Sequence, residues 1–285
     1  MNTNLFKSIF LIIALIPSAT STNNYSLPLP ETDLKMGQNS SELAEREEPT
    51  YFHGGFGVTK ISVDKGELPC QRSCTLSFPV YTSYSVLGFL ASGVCTGGGD
   101  IFVNDTKVGS SGWSMFTSDL DYAFVQVYSD YWSNEVSRKI SYSQCATGKG
   151  IADVDILLPL IDTPSQPSLP NFTVYAYGGD SGIVKGTILE FGVEIQTPTP
   201  WQCGKNIANF KNVTKVLMNK PYSPGDLGAP VYIPLQIPNS TQLVASPVGQ
   251  VVENVGNNSE ENIWYYIPLD RILEDSGFGL ATSRP

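Results

Sequence analysis

Pro224-Gly225-Asp226-Leu227-Gly228-Ala229-Pro230-Val231 is the stretch on which the reading of this chain turns. A turn built from Pro, Gly and Asp leads straight into the apolar run Pro230–Ile237. Pro and Gly restrict or free φ where the chain must reverse, and β-branched residues suit the pleated run that follows. The same alternation of turn cluster and short apolar run recurs outward from this point. Cys74–Tyr81, Val86–Ala91, Tyr122–Tyr128, Phe172–Tyr177, Thr187–Ile195, Pro247–Val255 and Ile263–Leu269 all have it. Several alternate with period two, as in Val174, Ala176 and in Thr187, Leu189, Phe191. That is a strand signal, and its spacing predicts antiparallel barrels or sandwiches. Four prolines between Pro159 and Pro170 mark a crossing between two halves. One helix stands out near the end: Asp270 caps it, Leu269, Ile272 and Leu273 face inward, and Gly277 stops it.

Composition narrows the function classes. The chain has 285 residues, of which only 15% are charged, and its net charge is −10. An acidic surface repels phosphate backbones and anionic headgroups, so neither nucleic acid nor membrane is expected as a partner. The chain contains one histidine, His53, and five cysteines, Cys70, Cys74, Cys95, Cys145 and Cys203. They show no zinc-ligand spacing, and no glycine-rich loop precedes a helix, so neither metal nor cofactor is expected.

The first 21 residues read as a secretory signal: Lys7, then an apolar core through Ile16, then Ser18, Ala19 and Ser21. Residues 22–50 carry six acidic and two basic residues with little to bury. They are expected to form a flexible leader, either a propeptide or a solubilising tail. Residues 51–285 form the globular part. Sequons at Asn24, Asn39, Asn104, Asn171, Asn212, Asn239 and Asn257 suggest a glycoprotein, with disulfides expected in that compartment.

Four patterns in fixed order resemble a known family. Gly54-Gly55 is followed by Cys74-Thr75-Leu76-Ser77-Phe78-Pro79-Val80. Gly88 to Cys95 is similar to the segment around the catalytic histidine of chymotrypsin-like serine proteases. Ser118 to Val125 resembles the segment holding their aspartate, and Pro224 to Val231 their nucleophile loop. Val174–Gly178 with Gly186–Ile188, and the ending Tyr265–Leu269 before a short helix, resemble the streptogrisin and α-lytic protease branch. The resemblance spans about 51–280. It implies an all-β fold of two antiparallel six-stranded β-barrels with a short C-terminal helix and a cleft between the barrels. It also implies a Cys74–Cys95 disulfide, leaving the pairing of Cys70, Cys145 and Cys203 open.

The departures fall at the chemistry. Val94 stands at the histidine position and Leu227 at the serine position, leaving Asp121 as the triad acid. An aspartate that only orients an imidazole has no task without one. Val94 and Leu227 are therefore read as packing residues, and Asp121 as a satisfied buried carboxylate. The Gly225 and Leu227 amides could still form an oxyanion pocket, because backbone donors need no particular side chain. Val94, Asp121 and Leu227 are expected to meet between the barrels, with Ser181 remote from them. Gly179-Asp180-Ser181-Gly182 superficially matches a nucleophile motif but reads equally as a tight hairpin turn. His53 reads as a surface or barrel-end histidine.

Three functions remain. The first is an inactive protease homologue that binds a peptide or protein in the cleft. The second is an active hydrolase with a relocated nucleophile, Ser181. The third is a structural or surface glycoprotein.

Overall fold

In the computed structural model the described residues are 51–282, except 56, 63–69, 97–98, 104–105, 134–136, 145–153, 163, 199–205 and 254–261. The expected signal and leader lie outside them, as do Asn24, Asn39, Asn104, Asn257, Cys145 and Cys203.

The N-terminal half is built from β1 (Gly57–Ser62), β2 (Cys70–Thr75), β3 (Pro79–Tyr81), β4 (Leu87–Ala91), β5 (Gly99–Val103), β6 (Thr106–Phe116) and β7 (Asp121–Val127). With β16 (Gly279–Leu280) they form one sheet in the order β16-β3-β4-β7-β6-β5-β1-β2. Its two ends are joined by the chain itself. Residues 76–78 carry β2 into β3, and the amide of Ser77 reaches the Leu90 carbonyl at 2.7 Å. Taken as one bent strand, β2–β3 pairs with β1 at its start and with β4 at its end. Six strands then close round one core, and β16 is added at the rim.

The C-terminal half is a closed barrel in the order β10-β11-β12-β15-β14-β13. Its strands are β10 (Thr173–Gly178), β11 (Gly182–Pro198), β12 (Ile207–Met218), β13 (Pro230–Gln236), β14 (Leu243–Val252) and β15 (Ile263–Pro268). Between the halves, β8 (Lys139–Gln144) and β9 (Val154–Pro159) form a hairpin. The proline-rich stretch after β9 runs along β14, where the Ser165 amide reaches the Pro247 carbonyl at 2.8 Å.

Inward residues alternate as the strand period requires. Val174 and Ala176 of β10 and Val184 and Ile188 of β11 fill the barrel with Trp264 and Tyr266. The alternate set that sequence picked out on β11 lies outward: Leu189 and Phe191 are exposed. A separate apolar cluster joins the halves, with Phe78, Leu90, Tyr122 and Phe124 meeting Tyr232, Ala245, Leu269 and Ile272. Each fully buried side chain of this size contributes roughly 1.5–3 kcal/mol, so the halves are welded rather than hinged by surface contacts.

The C-terminal helix α2 spans Leu269–Ser276. Its N-cap position is Pro268, not Asp270, because the extended conformation of β15 ends there (φ −56, ψ 132). Asp270 lies in the first turn, where its negative charge faces the positive end of the helix dipole. Gly277 ends the helix with φ 66, its amide donating to the Leu273 carbonyl. A second, four-residue helix, α1 (Gly93–Thr96), follows β4 and carries Val94 and Cys95.

Candidate functional site

Asp121 begins β7 and is 2% exposed. The Ser92 hydroxyl donates to its Oδ2 at 2.6 Å, and the Val94 amide donates to its Oδ1 at 2.9 Å. The turn from β4 into α1 thus wraps the carboxylate, which holds the local backbone. Gln250 of β14 ties this corner to the barrel. Its side-chain amide donates to the Asp121 carbonyl at 3.0 Å and to the Ala91 carbonyl at 3.3 Å.

Leu227 precedes β13 and is fully buried; Val94 is 5% exposed. Both belong to one apolar cluster with Phe52, Leu76, Phe89 and Ala91. The Thr75 amide donates to the Leu227 carbonyl at 2.8 Å, fastening the loop to β2. Cys74 of β2 and Cys95 of α1 are joined by a disulfide with Cα atoms 6.2 Å apart, as the resemblance implies. The structure therefore brings Val94, Asp121 and Leu227 together at the seam between the halves. No imidazole or hydroxyl is supplied there by Val94 or Leu227.

The amides expected to form an oxyanion pocket are committed elsewhere. The Gly225 amide donates to Asp180 Oδ2 at 3.0 Å, and the Leu227 amide to the Pro224 carbonyl at 3.3 Å. The 224–226 segment is a 3₁₀ turn, which spends the Leu227 donor internally. Asp180 does the rest: its Oδ2 also accepts from the Ser223 hydroxyl at 2.6 Å. A side-chain carboxylate thus stands where a carbonyl oxygen would have to bind. Gly225 is required by this approach, because a Cβ there would overlap the Asp180 carboxylate.

Ser181 is not remote. Its hydroxyl donates to Asp226 Oδ2 at 2.6 Å, and its amide to Asp226 Oδ1 at 2.9 Å. The amides of Asp180 and Ser223 complete four donors on that buried carboxylate. The 179–182 turn and the 223–227 loop are therefore held by exchanged aspartates: Asp180 grips the loop and Asp226 grips the turn. Sequence reasoning passed over both, although the repeated Gly-Asp steps at 179–180 and 225–226 were a visible signal. His53 lies half-buried before β1, with Nδ1 3.0 Å from the Gly54 carbonyl oxygen. Among the described residues no group of His, Cys, Asp or Glu could hold a metal ion. No described helix is long and apolar enough to cross a membrane.

Solved structures share this architecture. A Nocardiopsis protease, NAPase, superposes with a TM-score of 0.52 over 80% of this chain and 97% of its own, at 17% identity. Thermobifida fusca protease A gives 0.53 over 81% and 98%, at 19% identity. This chain has the chymotrypsin-like serine protease fold. A glutamic-acid-specific serine protease also matches, at TM-score 0.50 and 15% identity, over 80% of this chain and 100% of its own. No protein-family model and no curated protein matches the sequence.

Proposed function

We propose that this chain is a secreted glycoprotein that keeps the serine protease fold, does not cleave peptides, and acts by binding a peptide or protein at the seam between its halves. One observation carries the reading. The seam holds Val94, Asp121 and Leu227 together with two apolar side chains buried, while the Gly225 amide already has the Asp180 carboxylate as acceptor. Acyl transfer needs a nucleophile, a base to take its proton, and donors for the developing oxyanion. Val94 and Leu227 supply neither of the first two, and Asp180 occupies a donor that would serve the third. The Ser181 hydroxyl is held by Asp226.

Activity-based labelling tests this. The purified protein is treated with a serine-reactive fluorophosphonate and, in parallel, with a panel of fluorogenic peptides. No labelling and no turnover are expected. Stoichiometric labelling at one serine overturns the reading. If that serine is 181, and Ser181→Ala abolishes turnover while Leu227→Ala preserves it, the relocated-nucleophile hydrolase takes its place.

A further inference from the structure

β16 differs in kind from the other strands of its sheet. Six strands close the N-terminal barrel without it, and it stands at the end of the strand order, beside β3. It is two residues long and is the last of the described strands. An open strand edge presents a row of amides and carbonyls on which a further strand can form. Here the tail of the chain takes that place. Gly279 pairs with Tyr81 and Leu280 with Val80, and the Ala281 amide donates to the Pro79 carbonyl at 2.9 Å. The Arg138 guanidinium donates to the Thr282 carbonyl at 3.1 Å.

Each side chain of the tail meets a fitted surface. The Phe278 ring sits among Trp113, Phe124 and Tyr122, with centroids 5.7, 5.6 and 6.5 Å away. Leu280 and Ala281 are buried, Leu280 within the cluster that joins the halves. A Cβ at Gly279 would meet the Tyr81 ring at 2.2 Å, so any larger residue must push that ring aside. The tether is slack by comparison. Gly277 ends α2 in left-handed backbone, and a Cβ there would meet nothing within 4 Å. The joint between helix and tail therefore has room to turn, and glycine lets it. This place is separate from the corner that holds Val94, Asp121 and Leu227. Val80 pairs with Gly88 near the start of β4, whereas Val94 follows the other end of that strand.

We propose that the β3 edge and the aromatic socket of Trp113, Tyr122 and Phe124 form a strand-addition site for an extended Phe-Gly-Leu-Ala segment of another protein. The chain's own tail, Phe278 to Thr282, fills the site until that segment displaces it. Main-chain hydrogen bonds to β3 supply affinity, and the phenylalanine socket with the glycine under Tyr81 supplies specificity. The tether gives the tail a high effective concentration, so it competes with any peptide arriving from solution.

The probe is a fluorescently labelled synthetic peptide with the sequence of residues 277–285, read by polarisation. Two full chains are compared: the parent, and a variant carrying Phe278→Ser and Leu280→Ser, whose own tail is loosened. The variant is expected to bind the peptide saturably and about tenfold or more tighter than the parent, because the competing tail is weakened. Trp113→Ala added to the variant should weaken binding several-fold, and a peptide bearing the same two serines should not bind. Equal binding by parent and variant overturns the proposal. So does indifference to Trp113→Ala, or no binding by a variant that still unfolds cooperatively. A parent that forms dimers, dissolved by Phe278→Ser with Leu280→Ser, makes a second copy the occupant and overturns the assignment to another protein. Should the variant fail to fold, hydrogen exchange on the parent decides. The Ala281 amide is expected to exchange about tenfold or more faster than the amides of β4, as a locally detaching segment does. Equal protection overturns the displaceable tail.

Discussion

At the scale of single residues, carboxylates that sequence offers as chemistry serve here as backbone anchors. Asp121 gathers the Ser92 hydroxyl and the Val94 amide in a buried corner. Asp121→Ala leaves both donors without that acceptor. A buried hydrogen bond to a charged group is worth about 1.5–3 kcal/mol, so urea denaturation should show a loss of about 2–4 kcal/mol. Asp121→Asn keeps one acceptor oxygen and should lose less. If Asp121→Ala unfolds at the parent's midpoint, the carboxylate is not an anchor. The contact between Gly225 and Asp180 makes a second, sharper prediction. Gly225→Ala forces a methyl into the Asp180 carboxylate, an overpacking worth about 1–3 kcal/mol. Asp180→Ala alone removes the acceptor for Gly225 and Ser223. Because each change removes the reason for the other's cost, the double variant should lose less than the sum of the singles. Strict additivity in the double-mutant cycle would show that the two residues do not touch. The Gly-Asp steps mark Asp180 and Asp226 in the sequence, but the partner each one holds lies 45 positions away, which no local pattern shows.

At the scale of elements, strands that alternate or run continuously apolar were legible, and those with two mixed faces were not. β13 and β14 are buried nearly throughout, pressed between the barrel interior and the N-terminal half, and their apolar runs were read from the sequence. β6, Thr106–Phe116, and β12, Ile207–Met218, carry Lys, Ser, Asn and Thr on outward faces, and no run announces them. Helix α2 was legible through its inward Leu269 and Ile272 and its stop at Gly277. Its start was misplaced because a proline that closes a strand left no side-chain cap to find. Gly277 carries its own prediction. A Cβ there meets nothing, so Gly277→Ala tests conformation alone. An L-residue in the left-handed region costs roughly 1 kcal/mol. A loss of that size should appear in thermal unfolding, and an unchanged midpoint would mean that the helix end relaxes freely. β16 was invisible: two residues pair with β3 only because α2 delivers them to that edge.

At the scale of the whole molecule, the halves are joined through buried aromatics, and two buried tyrosines, Tyr122 in that joint and Tyr266 inside the C-terminal barrel, tie global stability to pH. Burial pushes the Tyr266 hydroxyl up to about 12, with Thr214 opposing and Asp270 adding to the rise. Tyr122 moves in the same direction, first through burial and then through its hydrogen bond to Asp275 on α2. An unfolded tyrosine ionises near about 10. A raised folded value favours the neutral form, so this contribution is complete below pH ~10 and is lost as pH rises towards ~12. For Tyr266 a shift of that size corresponds to about 2–3 kcal/mol. Chemical denaturation between pH 9 and 12 (the range is bracketed by the tyrosine values above) should show falling stability, with a shallower fall in Tyr266→Phe. Equal slopes in the two proteins would remove Tyr266 from the account. The sequence by itself determined the all-β class, the order of the motifs, the period-two pattern that buries Val174 and Ala176, and the absence of His and Ser side chains at positions 94 and 227. These are local or periodic properties, and side-chain period along a strand is written in neighbouring residues. Tertiary structure alone decided that the Gly225 amide is taken, that Ser181 rests on Asp226 rather than far away, and that the last residues re-enter the N-terminal sheet. Each of these depends on long-range approach of buried polar groups, where a donor accepts whichever carboxylate or carbonyl the folded chain brings within about 3 Å.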